Sequence, residues 1–155
     1  MRTAFCISSS SSVEVTGTTG ACSPVTSTEN LLEMQIASRK LYVDPSLMMY
    51  AVKVVAASRN PEKCGLNDYS RFIQFGASPR ASIAMIEAGR ALAYIRGRDY
   101  VLPADVVDVA ADVLRHRVVP SYEALAEGMT ADQIVRTLLR NVAPPVVEAS
   151  RVAGQ

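Results

Sequence analysis

Apolar residues recur at helical spacing in several stretches of the chain, and polar capping residues or prolines stand at the start of most of them. This pattern predicts an all-α fold, a bundle of about five helices joined by short extended connectors. The predicted helices run from Glu29 to Lys40, from Pro45 to Asn60, from Ser78 to about Arg96, from Pro103 to Leu114, and from Thr130 to the Pro144-Pro145 pair.

Several helix ends carry specific local signals. Thr26 with Glu29, and Thr130 with Gln133, have the spacing of a capping box, in which two side chains and two backbone N–H groups bond reciprocally. Gly97 stands where a left-handed residue would end the third helix. Within that helix, which we expect to be the centre of the bundle, Glu87 and Arg90 are spaced to form an ion pair across one turn.

The chain divides into three parts by composition. Residues 1–28 are rich in Ser, Thr and Gly and lack apolar periodicity, which predicts a disordered leader. Residues 29–147 are expected to form one helical domain, followed by a flexible tail over 148–155. Inside the domain, residues 61–75 are predicted to be a loop, and its aromatic residues indicate packing against another part of the protein.

Charge and cysteine content exclude several classes of function. The 155 residues include 16 basic and 15 acidic side chains, interspersed along the chain, so no strong field would attract nucleic acid. No apolar run reaches the length of roughly 18 to 20 residues that a membrane span needs. The 3 cysteines lack CxxC spacing, which favours reduced thiols in the cytoplasm over a disulfide framework or a metal site.

The candidate chemistry lies at the start of the third helix, in the stretch Phe75-Gly76-Ala77-Ser78-Pro79-Arg80. Ser78 is predicted to be the helix cap, with Pro79 at the first helical position. A cation as early as Arg80 is mildly unfavourable beside the positive end of the helix dipole, and an anion would reverse this effect. Free N–H groups, a hydroxyl and a guanidinium together suit phosphate or carboxylate. The alternative is an arginine that extends into solvent or pairs with a surface acid.

Other catalytic signals are missing or weak. His116 is the only histidine, and no Gly-x-Ser-x-Gly motif accompanies it, so we expect it to be structural. Together with Arg115 and Arg117, it follows the fourth helix, where positive charge offsets the negative end of the helix dipole. The chain also lacks a G-x-x-x-x-G-K-[ST] phosphate loop, so by itself it is not expected to hydrolyse ATP.

From about residue 31 to residue 142, the order and spacing of short motifs resemble one known family, the C-terminal helical lid of MoxR-family AAA+ ATPases. The motifs are Leu41-Tyr42-Val43-Asp44, Ala57-Ser58-Arg59, Gly76-Ala77-Ser78-Pro79-Arg80-Ala81, Arg90-Ala91-Leu92-Ala93, Gly97-Arg98-Asp99-Tyr100-Val101, Pro103-Ala104-Asp105-Val106 and Val113-Leu114-Arg115-His116-Arg117. They cover roughly three quarters of the chain, far more than a single motif would.

The resemblance implies that Arg80 is a sensor-2 arginine, a catalytic residue that reaches the γ-phosphate of ATP. Ser78 and Arg59 would line the same nucleotide site, although Arg59 could instead face a neighbouring subunit. ATP and Mg²⁺ would be held by a separate AAA+ core domain, which is expected before residue 31, where this sequence has the leader. The implied partners are that core or adjacent subunits of a ring, in chaperone-like remodelling or in the insertion of a cofactor or metal.

Two other functions remain open on the sequence. The chain could be a stand-alone helical adaptor that binds a protein through the surface that a core would otherwise cover. Such an adaptor would expose an apolar patch and associate independently of nucleotide. A nucleic-acid binder using Arg80 or Arg115 is disfavoured by the balanced charge. A lid differs from both because it would restore hydrolysis to a core domain.

Overall fold

The computed structural model describes residues 24–146, which form seven α-helices, one 3₁₀ turn and two short strands. The elements are α1 (Thr28–Arg39), α2 (Pro45–Arg59), the 3₁₀ turn (Pro61–Cys64), α3 (Asn67–Ser70), β1 (Ile73–Phe75), α4 (Arg80–Ile95), α5 (Pro103–Leu114), β2 (Val119–Pro120), α6 (Tyr122–Ala126) and α7 (Ala131–Asn141). The predicted all-α fold class is confirmed. The predicted leader and tail lie outside the described residues, apart from residues 24–28.

The five predicted helices correspond to α1, α2, α4, α5 and α7, and sequence reasoning missed the two short helices. Helix α3 has 4 residues and α6 has 5, too few for apolar periodicity to be visible. The segment predicted as a loop over 61–75 is therefore mostly ordered, since it contains the 3₁₀ turn, α3 and β1. Strand β1 pairs antiparallel with β2, with Phe75 opposite Val119.

Helix α4 lies at the centre of the bundle, as the sequence predicts, and packs against α1, α2 and α5. Gly89 allows a close approach to α5, because a Cβ added there would lie only 3.2 Å from Cγ2 of Val106. The largest fully buried apolar side chains come from α2, α4, α5 and α7: Leu47, Val54, Met85, Val106, Leu114, Ile134, Val135 and Leu138. One continuous core thus joins the four helices.

The predicted capping box of α7 and the predicted end of α4 are confirmed, and the predicted cap of α1 is wrong. Thr130 Oγ1 accepts from the N–H of Gln133, and Gln133 Oε1 accepts from the N–H of Thr130, so α7 begins with the predicted capping box. Gly97, at φ 72°, ends α4 as predicted. Helix α1 is instead capped by Ser27, whose hydroxyl accepts from the N–H of Asn30, and not by Thr26.

A buried carboxylate fixes the turn between α4 and α5. Asp105 is fully buried, and its oxygens accept from Arg96 at 2.7 Å, from both Nη atoms of Arg98 at 2.7 and 2.6 Å, and from the N–H of Leu102 at 2.9 Å. Burial alone would raise the pKa of Asp105, but the hydrogen bonds from Arg98, Leu102 and Arg96 outweigh it and hold this pKa below its usual value. The aspartate therefore stays ionised and pins the two helices together.

The ion pair predicted between Glu87 and Arg90 does not occur among the described residues. Within residues 24–146, the Nε atom of Arg90 is enclosed by protein and has no hydrogen-bond partner. Arg115 does more than offset the dipole of α5. It directly follows α5, lies 2.8 Å from Asp112 of that helix and 3.5 Å from Asp132 at the start of α7, and so links the two helices.

Candidate functional site

The candidate site begins with a contact between the end of α2 and the segment that leads into α4. The side chain of Ser58 is fully buried, donates to the carbonyl of Val55 at 2.7 Å and accepts from the N–H of Ala77 at 3.0 Å. Gly76 lies beside it, and an added Cβ would be 2.3 Å from the Ser58 carbonyl oxygen. A small residue and a buried hydroxyl thus hold the two helix ends at a fixed separation.

An open depression of about 400 Å³ lies over this contact. Its walls come from Arg59, the last residue of α2, and from the segment that precedes α4: Gln74, Phe75, Gly76, Ala77, Ser78 and Pro79. Arg59 is exposed and forms no ion pair with another residue in the 24–146 range. Its guanidinium is therefore available to an anion that enters the depression.

Arg80 is the first residue of α4 and directly follows the residues that line the depression. It is exposed, and within the described range its side chain has neither an ion pair nor a hydrogen bond. Other arginines do have carboxylate partners: Arg71, Arg96, Arg98, Arg115 and Arg136. The alternative of a surface-acid partner for Arg80 is not seen among the described residues, whereas its exposed side chain agrees with the alternative of an arginine that extends into solvent.

Ser78 does not cap α4 as predicted. No backbone N–H among residues 24–146 bonds to its hydroxyl, and the helix begins at Arg80, two residues after Ser78, with Pro79 as the N-cap residue. The reason is that Pro79 already has helical dihedrals, φ −55° and ψ −27°, so the backbone carbonyls close the first turn. The Ser78 carbonyl accepts from the N–H of Ala81 at 2.9 Å, and the Pro79 carbonyl accepts from Ser82. Ser78 remains exposed in the wall of the depression.

Sequence reasoning missed one residue of this site, Gln74, which lines the depression just before the stretch named from the sequence. Phe75 lines the depression and has 64% of its surface exposed, although Phe72, three residues earlier, is buried. Phe75 places an apolar aromatic ring beside Arg59 in the wall of the depression.

Other candidate groups lie outside the depression. His116 is exposed, and its Nε2 accepts from the Nε–H of Arg117 at 3.2 Å. Over residues 24–146, no cluster of histidine, cysteine or acidic side chains has an arrangement that could hold a metal ion. None of the helices in that range is long and apolar enough to cross a membrane.

Comparison with known proteins shows which family the described domain resembles. Residues 69–138 match the AAA lid domain family. The chaperone MoxR1 of Mycobacterium tuberculosis is 46% identical over 125 residues, which are 81% of this chain and 33% of that protein. The protein MoxR of Paracoccus denitrificans is 38% identical over 94 residues, which are 57% of this chain and 28% of that protein.

A solved structure agrees with the sequence matches. The crystal structure of a candidate ATPase from Cytophaga hutchinsonii superposes with a TM-score of 0.75 at 38% identity, over 79% of this chain and 37% of that chain. The described domain is a MoxR-family AAA+ lid. The resemblance inferred from the sequence motifs is thus confirmed. This MoxR-type lid chain spans about a third of the length of MoxR1.

Proposed function

We propose that this lid supplies a sensor-2 arginine, Arg80, to an ATP site whose other side is a AAA+ core domain. The observation that carries the proposal is the position of Arg80. It is the first residue of α4, is exposed, and has no carboxylate partner within the described part of the chain. A cation at a helix N-terminus is unfavourable in isolation, and a phosphate brought to the same place would turn this cost into attraction.

The rigid segment before α4 explains how Arg80 could report on the nucleotide. Because the N–H of Ala77 bonds to the buried hydroxyl of Ser58, the segment cannot move independently of α2. Closing the lid over the core would carry Arg80 to the γ-phosphate as part of a rigid body, where it would stabilise the charge of the phosphoryl group during transfer. Ser78 and Arg59, in the adjoining depression, are the proposed further contacts with the nucleotide.

The other parts of the proposed ATPase activity would require the assembled protein. ATP and Mg²⁺ would be bound only in the presence of a core domain, with Arg80 as the catalytic residue and Ser78, Arg80 and Arg59 as cofactor-binding residues of the lid. The proposed partners are that core and the neighbouring subunits of a ring, with no nucleic acid. The work of the machine would be chaperone-like, in remodelling or in insertion of a cofactor or metal, and we place it in the cytoplasm.

A graft tests this proposal. Residues 29–147 would replace the matching segment of the M. tuberculosis relative, which is 46% identical over 125 residues, and ATP hydrolysis would be measured. We expect Arg80→Ala to lower kcat by about 100-fold, a typical loss when one electrostatic contact to the transition state is removed. Arg80→Lys should restore part of the rate, because an ammonium keeps the charge without the bidentate geometry.

The matched control is Arg140→Ala. Arg140 is an exposed arginine of α7 that has no ion pair within residues 24–146, and its removal should leave hydrolysis unchanged. Equal rates in the Arg80→Ala and Arg140→Ala grafts would disprove a catalytic contact from Arg80. A graft with the unmodified lid that never hydrolyses ATP faster than a graft without a lid would disprove the whole proposal.

The second candidate function is the protein-interaction adaptor. It is favoured by the apolar side chains that α1 exposes, since Leu32 is 58% and Ile36 is 56% exposed. An adaptor would bind its partner equally well with and without ATP, and Arg80→Ala would not affect that binding. One measurement therefore distinguishes the two functions: whether the binding of the partner depends on ATP.

A further inference from the structure

The helix α1 has an unusual position, because none of its residues is buried. It packs along α4, yet its large apolar residues Leu32, Met34 and Ile36 remain 58%, 41% and 56% exposed. Between α1 and the last turn of α4 runs an open groove of about 810 Å³. One wall is formed by Glu33, Ile36 and Ala37 of α1 together with Lys40, the residue that follows its C-terminus, and Tyr94 lies on the opposite wall.

These three α1 residues and Lys40, whose backbone is still helical, form a self-complementary face. Their spacing of three, four and seven residues places them on one side of a helix. The acid Glu33 is at one end, the base Lys40 is at the other, and Ile36 and Ala37 lie between them. Glu33 and Lys40 are equally far from the midpoint of this face. In an antiparallel pair of α1 helices related by a two-fold axis, each Glu33 would therefore lie opposite Lys40 of the partner subunit.

We propose that this face of α1 binds a second copy of the same chain, as an antiparallel and symmetric helix pair. Glu33 and Lys40 are both exposed, and neither forms an ion pair with any residue in the described range, so both charges are available to the partner. The short side chain of Ala37 lets the helix axes approach closely, and the exposed Ile36 becomes covered. In a parallel pair, Glu33 would lie opposite Glu33 and Lys40 opposite Lys40. The repulsion between these like charges favours the antiparallel pair.

This contact is separate from the proposed nucleotide site. Tyr94 lies in the last turn of α4 and Arg80 at its first residue, so the groove and the arginine are about 20 Å apart along the helix. Self-association would leave Arg80 exposed and would not depend on ATP. Because a single helix face contributes, the contact belongs to the small, reversible class of interfaces.

Sedimentation equilibrium of the full chain, from roughly 10 µM to roughly 1 mM, tests the proposal. We expect a reversible monomer–dimer equilibrium. Glu33→Lys and Lys40→Glu should each weaken dimerisation by about tenfold, since each places like charges opposite each other twice in the symmetric pair. The double variant Glu33→Lys with Lys40→Glu restores opposite charges and should recover most of the affinity. The control Lys53→Glu makes the same change of charge as Lys40→Glu at an exposed position of α2, and it should leave the dimer unaffected.

Two further measurements complete the test. Ile36→Asp should abolish the dimer, while circular dichroism should show an unchanged fold, because Ile36 lies outside the core. Amide signals of residues 33–40 should shift with protein concentration. A monomer at every concentration would overturn the inference, as would a dimer that the charge changes and Ile36→Asp do not weaken. Neither result would affect the Arg80 proposal, which the graft tests independently.

Discussion

Gly76 lies directly against the backbone carbonyl of Ser58, with no room for a side chain between them. A Cβ added to Gly76 would be 2.3 Å from the Ser58 oxygen and 2.7 Å from the nitrogen of Arg59. The φ angle of Gly76 is not positive, unlike those of Gly65, Gly97 and Gly128, so the requirement for glycine is one of space and not of backbone conformation. This contact holds the end of α2, which carries Arg59, against the segment that leads into Arg80.

Gly76→Ala should therefore destabilise the domain. The new methyl group cannot fit beside the end of α2, so the backbone must shift, at a cost of about 1–3 kcal/mol in the free energy of unfolding. Urea denaturation followed by circular dichroism measures this loss. Ser78→Ala, two residues later at an exposed position, is the control and should change stability by less than about 0.5 kcal/mol. Equal stability of the two variants would mean that the segment is not held as described.

Ser58→Ala should weaken the same contact by a different route. It removes the acceptor of the Ala77 N–H and leaves that buried donor without a partner, which costs about 1–3 kcal/mol. The matched control is Ser38→Ala, because Ser38 also donates to a carbonyl three residues earlier but is more accessible to solvent. The unfolding free energies of the two variants give the comparison. A loss at Ser38 as large as that at Ser58 would contradict the bridging role of Ser58.

Local signals predicted the long helices well. The apolar periodicity and the Thr130–Gln133 capping box depend on residues a few positions apart, so the sequence displays them directly. The position of Arg80 at the start of α4 follows from the same kind of signal, since Gly76 and Pro79 mark the boundary of the helix. The cap was assigned wrongly at Ser78 because Pro79 takes helical dihedrals and leaves the serine outside the first turn.

The remaining features arise from contacts distant in sequence. Ser58 and Ala77 are 19 residues apart, and Arg71 accepts a hydrogen bond from Ser121, 50 residues away, through its carbonyl. No periodicity predicts which of the many serines in the chain makes such a bond. Asp105 carries a recognisable N-terminal helix signal, but its burial between Arg96 and Arg98 depends on how α4 and α5 meet. Tertiary packing, and not local preference, decides these cases.

The buried Asp105 predicts how stability depends on pH. Its pKa is lowered in the folded state, so the carboxylate contributes stability above the unfolded value of about 3.9, and this contribution is lost as the pH falls through the lower folded value. Asp105→Asn should cost about 3 kcal/mol at pH 7, because Arg96 and Arg98 lose their shared partner, and should flatten the pH dependence below about pH 4. Unfolding free energies measured from pH 2 to pH 7 test both effects.

Asp108→Asn provides the control for this experiment. Asp108 bonds to the same Arg96 at 2.7 Å, but its side chain is 49% exposed, so its loss should cost less than about 1 kcal/mol. An Asp105→Asn variant no less stable than Asp108→Asn would contradict the proposed role of the buried carboxylate in joining α4 to α5.

Arg80→Glu separates function from stability. A carboxylate in the first turn of a helix is favoured by the dipole, so replacing the guanidinium should raise the free energy of unfolding by about 0.3–1 kcal/mol. In the grafted enzyme the same change should abolish hydrolysis, because a negative charge would meet the phosphates. Thermal unfolding of the full chain and the hydrolysis rate of the graft give the two readings. A destabilised Arg80→Glu chain would show instead that Arg80 has a structural role, since an exposed arginine without a partner has no fold-stabilising contact to lose.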